Sequence, residues 1–205
     1  MGKKEDKFFQ MATSLPFEEV KDDRDESSIP ELVRVAELRD KGSAQEAIDY
    51  GKTLMKMYSD NDLIPFMLAY IYYQRHFPEE ALQIAIDAIP RCPRKYRLYS
   101  VAGLAEYEKD RLPEAFVWWT RSVIAQCEVV DYQEVDPFLY LAHTAQILGA
   151  RRQADVYFSM VDAIEHSQMR LTPDEVGKLD GLRDSWAKKP VLDVLKHVEE
   201  NYLHG

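Results

Sequence analysis

Three alanines, Ala47, Ala81 and Ala115, each follow a glutamate and stand 34 residues apart, and a fourth, Ala154, comes after a further 39. A fixed period of about 20 to 50 residues constrains a fold more tightly than composition does. Each period is one supersecondary unit too small to bury its own apolar face. The units therefore stack, and a single core runs through all of them. The longer last interval keeps the same register with five added residues, placed around Glu128 to Glu134.

A short turn precedes each of these alanines: Lys41-Gly42-Ser43, His76-Phe77-Pro78, Arg111-Leu112-Pro113 and Leu148-Gly149-Ala150. Gly42 and Gly149 read as helix-ending residues with positive φ. Pro78 and Pro113 read as first helical residues, where a missing N–H costs nothing. On this reading two chemistries make the same turn. About a dozen residues of helical character lie on either side, so each period is an antiparallel helix pair. Only 8 of the 205 residues are Gly, well below the roughly 7% of an average protein, as suits a chain built of helices.

The positions within each period carry a further pattern. In units starting at Asp62, Tyr96 and Val135, the eighth position holds Ala69, Gly103 and Ala142, and the eleventh Tyr72, Glu106 and Ala145. The twentieth holds Ala81, Ala115 and Ala154, and the twenty-fourth Ala85, Trp119 and Phe158. The twenty-seventh holds Ala88, Ser122 and Val161, and the thirty-second Pro93, Cys127 and His166. A first unit from Ser28 supplies Val35, Leu38, Ala47, Gly51, Leu54 and Ser59, departing at the eighth and twenty-fourth places.

This pattern resembles the tetratricopeptide repeat, a 34-residue helix-turn-helix with small residues at the eighth and twenty-seventh positions, a large one at the eleventh, Ala at the twentieth, an aromatic at the twenty-fourth and Pro at the thirty-second. The resemblance implies an all-α fold, a right-handed superhelix of antiparallel helix pairs. It implies four repeats, over residues 28–61, 62–95, 96–134 with the insertion, and 135–168. Small residues let neighbouring helices approach to about 8 to 10 Å, and the aromatic fills the space they leave.

Outside this span the phase changes. Thr172-Pro173-Asp174-Glu175 opens a helix with an N-cap, a first-turn proline and a capping-box glutamate. A second helix starts at Pro190, with the stripe Val191, Val194, Leu195, Val198 and Tyr202. Residues 169–205 are thus expected to cap the last repeat; a homodimer or partner contact through this helix is the alternative. Residues 1–27 carry five basic and eight acidic side chains around Phe8, Phe9, Met11 and Leu15. They read as a flexible or partly helical segment, with docking on the solenoid or self-association as its possible roles.

Charge and motif placement exclude several functions. With 26 basic against 36 acidic residues the formal charge is −10, which opposes wholesale nucleic-acid binding. The basic cluster Arg91, Arg94, Lys95 and Arg97 reads as cations between two helices. Cys92 and Cys127 form neither a C-x-x-C nor a zinc pattern. The N-terminus has no signal-peptide core, and no stretch is long and apolar enough to enter a membrane. A cytoplasmic protein without membrane insertion is expected. Glycines at 2, 42, 51, 103, 149, 177, 181 and 205 leave no dinucleotide, phosphate or nucleophile loop. His76, His143, His166, His197 and His204 form no H-E-x-x-H. No catalytic residue, cofactor or metal is expected, and the chain reads as a non-enzyme.

What remains is a surface. The resemblance implies that the second, fifth, ninth and twelfth positions of each first helix line a concave groove. These are Leu63, Phe66, Tyr70 and Tyr73 in the second unit, and Arg97, Ser100, Leu104 and Tyr107 in the third. The fourth gives Asp136, Leu139, His143 and Gln146, with Gln74 and Glu108 at the edge beside Arg97. Such a groove is aromatic and apolar and suits a peptide or helix of a protein partner. The carboxylate-gripping modules of the family use Lys and Asn at the fifth and ninth positions, where this chain has Leu32, Ala36, Phe66 and Tyr70. A protein-binding adaptor is the first expectation. A chaperone resembling those of type III secretion, keeping a client soluble, is the alternative; a tyrosine helix buried on every side would be core instead.

Overall fold

The computed structural model describes residues 30–92, 94–129, 134–149 and 151–166. All its regular structure is helical: α1 Pro30–Asp40, α2 Ala44–Met57, α3 Leu63–Gln74, α4 Pro78–Ala88, α5 Tyr96–Glu108, α6 Leu112–Val129, α7 Val135–Ile147 and α8 Arg151–His166. The even-numbered helices begin 34, 34 and 39 residues apart. The N-terminal segment, Pro93 and the expected capping helices lie outside the described residues.

The turns inside the four pairs are chemically one turn. Gly42, His76, Asp110 and Gly149 have φ of 81°, 59°, 58° and 80°, so all four occupy the left-handed region. Around the first three, two N–H groups reach back to the preceding helix: Gly42 to Arg39 and Ser43 to Leu38, His76 to Tyr73 and Phe77 to Tyr72, Asp110 to Tyr107 and Arg111 to Glu106, all at 2.9–3.0 Å. These paired bonds satisfy carbonyls that a helix end otherwise leaves open. The expectation of two turn chemistries is therefore corrected. Pro78 does stand at the first helical position, but the chain reverses at His76, a residue that pays some strain for a positive φ.

Pro65 and Pro137 stand third in α3 and α7, within the first turn where their missing N–H leaves no bond unmade. Asn61 caps α3, its Oδ1 accepting from the N–H groups of Leu63 and Ile64 at 3.0 and 3.1 Å.

Each helix packs on the next, and α3 also packs against α1 and α5. Three buried clusters form, spanning α1 to α3, α3 to α6 and α5 to α8. They share half-buried residues: Tyr72 and Ile84 touch the first and second, Tyr70 and Tyr73 the second and third. The core is thus continuous from α1 to α8. Ala47, Ala81, Ala115 and Ala154 are buried in it, as are Ala69, Ala142, Ala85 and Ala88.

Two glycines explain how neighbouring helices come so close. A Cβ on Gly51 would collide with the side chain of Leu68, and one on Gly103 would fall within the indole of Trp119. Gly51 stands where later units carry Ala85, Trp119 or Phe158, and a leucine from the following helix occupies the room. Trp119 also donates Nε1–H to the Ser100 carbonyl at 3.1 Å, and Ser122 donates Oγ–H to the Tyr96 carbonyl at 2.6 Å. Helices α5 and α6 are thereby joined through side chains as well as apolar burial.

Candidate functional site

Helix α3 carries a row of aromatics because its sequence repeats them at three and four residue spacing. Phe66 and Tyr70 stack with ring centroids 6.0 Å apart, and Tyr70 and Tyr73 lie at 6.0 Å and 35°. All three are half-buried, with Ala69 wholly buried on the packing side. Tyr72 points elsewhere, bridging two cores and carrying the Lys52 ammonium 5.7 Å over its ring.

Helix α5 adds Tyr107, 43% exposed, whose ring lies 5.8 Å from Trp119. Trp119 also meets Tyr140 of α7 at 5.2 Å. A buried indole therefore anchors two partly open tyrosines from separate helices. The phenols converge as well. Burial pushes the Tyr140 hydroxyl up to about 12, with the charges of Asp136, Tyr70 and Tyr73 adding to it. Tyr73 is likewise raised, by burial first and then by Glu108, Tyr70 and Tyr107. Four tyrosines from three helices share one neighbourhood, with Glu108 and Asp136 beside them.

The remaining sequence-derived positions divide. Ser100 and Leu104 are buried, each 8% exposed. Leu139 is half-buried against the same cluster that Tyr70 and Tyr73 touch. His143 meets Phe158 of α8 edge-on at 5.2 Å. Gln74 and Gln146 are exposed near helix ends, and Leu63 is half-buried in the first turn of α3.

Two of the charged positions, Arg97 and Glu108, are held within the chain. Arg97 donates through Nε and a terminal nitrogen to Glu134 Oε1, at 3.0 and 2.8 Å. Glu134 is itself fixed by Gln126, whose amide accepts from its N–H and donates to its carbonyl. Glu108 Oε1 lies 2.6 Å from His76 Nδ1, which ties the turn after α3 to the end of α5.

Tyr140 and Trp119 are not among the groove positions that the sequence pattern singles out. Tyr140 stands sixth in its unit, outside the positions that the resemblance assigns to a groove. Its spacing of four from Asp136 and three from His143 was the available signal. Trp119 stands at the twenty-fourth, space-filling position of its unit, and it packs there while also backing two tyrosines.

Among the described residues no group of three or more His, Cys, Asp or Glu is placed to hold a metal ion. No described helix is long and apolar enough to cross a membrane. Cys92 is buried, and burial pushes its thiol up to about 12, so it is not an activated nucleophile. No protein-family model matches the chain, and no curated protein matches it.

Proposed function

We propose that this protein is a non-catalytic binding module, a tetratricopeptide-type superhelix that takes a peptide or helix of a partner protein on its tyrosine face. The observation that carries the reading is that Tyr107 of α5 and Tyr140 of α7 both lie against Trp119, while the paired Tyr70 and Tyr73 of α3 pack, with Tyr140, against the buried cluster that contains it. Tyr70, Tyr73 and Tyr140 pack against the cluster that holds Leu104 and Trp119, Tyr107 lies against Trp119, and all four remain partly open. Half-buried tyrosines lose little conformational freedom on binding and present both an apolar ring and a hydroxyl, the features that concentrate affinity in interfaces. Covering the open ring surface contributes about 25 cal/mol per Å2.

The test is a pair of substitutions, Tyr70→Ala with Tyr107→Ala, made in the full chain. Helical content by circular dichroism stays at the wild-type level. A partner captured by the wild-type protein from its native cell, then purified and titrated against both forms by calorimetry, binds the wild type and loses binding to the variant. Equal binding by both forms removes the tyrosine face from the account.

A further inference from the structure

We infer that the segment received on the tyrosine face is cationic, with a Lys or Arg side chain taken up between Tyr73, Tyr107 and Glu108. This rests on the binding reading above and adds the chemistry of the occupant.

The charges around the face are unbalanced. Its own cations are engaged: Arg97 with Glu134, Lys109 with Glu79 at 2.8 Å, and Arg111 with the buried Glu106 at 3.6 Å. The carboxylates are not matched in the same way. Glu108 meets His76 through one oxygen, while its other oxygen is covered and accepts no hydrogen bond among the described residues. Asp136 is exposed at the start of α7. Each stands close enough to a phenol to disfavour its ionisation, Glu108 at Tyr73 and Asp136 at Tyr140.

An ammonium or guanidinium satisfies both demands of such a place. It donates to the carboxylate and lies against ring faces whose quadrupole attracts cations. The chain already makes this kind of contact elsewhere, as with Lys52 over Tyr72 at 5.7 Å and Arg75 over Phe77 at 5.4 Å. The cation takes the place of His76 on Glu108 Oε1, and the imidazole, with a side chain 87% exposed, has solvent to turn into once that contact is given up. At long range the net charge of −10 draws a basic segment in and repels an acidic one.

The experiment is selection of a random peptide library displayed on phage against the full-length protein, followed by titration of the recovered peptides. Enrichment in Lys and Arg is expected, with binding about tenfold weaker to Glu108→Gln, further weakened in the double variant with Asp136→Asn, and reduced by salt. Peptides that need Tyr70 and Tyr107 but carry no basic enrichment overturn the cationic occupant and leave the binding face standing. Failure to recover any peptide that depends on those tyrosines overturns both. A dimer in sedimentation that Tyr107→Ala dissociates assigns the face to a second copy of the chain and likewise overturns the inference.

Discussion

The indole of Trp119 occupies the place where a Cβ on Gly103 would otherwise be. Helix α6 can approach α5 this closely only because position 103 has no side chain. The same indole lies against the rings of both Tyr107 and Tyr140. One contact thus sets both the packing of a helix pair and the position of two candidate binding residues.

Gly103→Ala forces Trp119 out of place and is expected to destabilise by about 1 to 3 kcal/mol. Trp119→Phe shortens the ring system, so the alanine costs less in that background. A double-mutant cycle by denaturant unfolding checks this, with a coupling energy clearly different from zero as the expected result.

Gly42 gives the opposite kind of glycine prediction. A Cβ there meets nothing within 4 Å, yet φ is +81°. Gly42→Ala therefore costs about 1 kcal/mol through backbone strain alone, a fall of roughly 2 to 4 °C in Tm. Thermal unfolding should show no coupling to Trp119.

Asp110 is exposed and holds a φ of 58°, which glycine adopts without a steric cost. Asp110→Gly is expected to stabilise by about 0.5 kcal/mol, the relief of strain exceeding the entropy that glycine adds to the unfolded chain. A lower melting temperature for this variant would contradict the reading that all four turns share one backbone solution.

The recurrence of the pairs was legible because it rests on alanines, which leave a helix room to approach, and on the short turns that precede them. His76 and Asp110 were not legible as turn residues. Pro78 and Pro113 nearby give the stronger local signal, whereas left-handed backbone at His or Asp leaves no mark in composition. The shared face of Tyr70 and Tyr73 on α3 is legible from their spacing, and its place among the groove positions is what the tetratricopeptide resemblance implies. Its meeting with Tyr140 depends on how α7 lies after the insertion, which no local pattern specifies. Likewise Arg97 reads as an open groove cation until Glu134, 37 residues away, is seen to hold it.

Glu106 makes a pH prediction. Burial raises its carboxyl above the ordinary carboxylate range, against the lowering influence of Lys109 and Arg111. A folded-state pKa above the unfolded one means that the folded state binds the proton more tightly. This contribution to stability is therefore full below the unfolded pKa and is lost as pH rises through the folded pKa. Glu106→Gln removes that dependence. The stability difference, variant minus wild type, should become more favourable to the variant from acid towards neutral pH, as measured by denaturant unfolding at a series of pH values.

The central claim is that the tyrosine face, and not some other apolar surface, holds the partner. Quantitative capture from the native cell compares three full-length proteins: wild type, Tyr70→Ala with Tyr107→Ala, and Val33→Ser with Met57→Ser. Val33 and Met57 are 62% and 65% exposed, and thus test open apolar surface outside that face. The account predicts a partner recovered equally by the wild type and the Val33/Met57 variant and lost from the tyrosine variant. Retention by the tyrosine variant together with loss from the Val33/Met57 variant would contradict it.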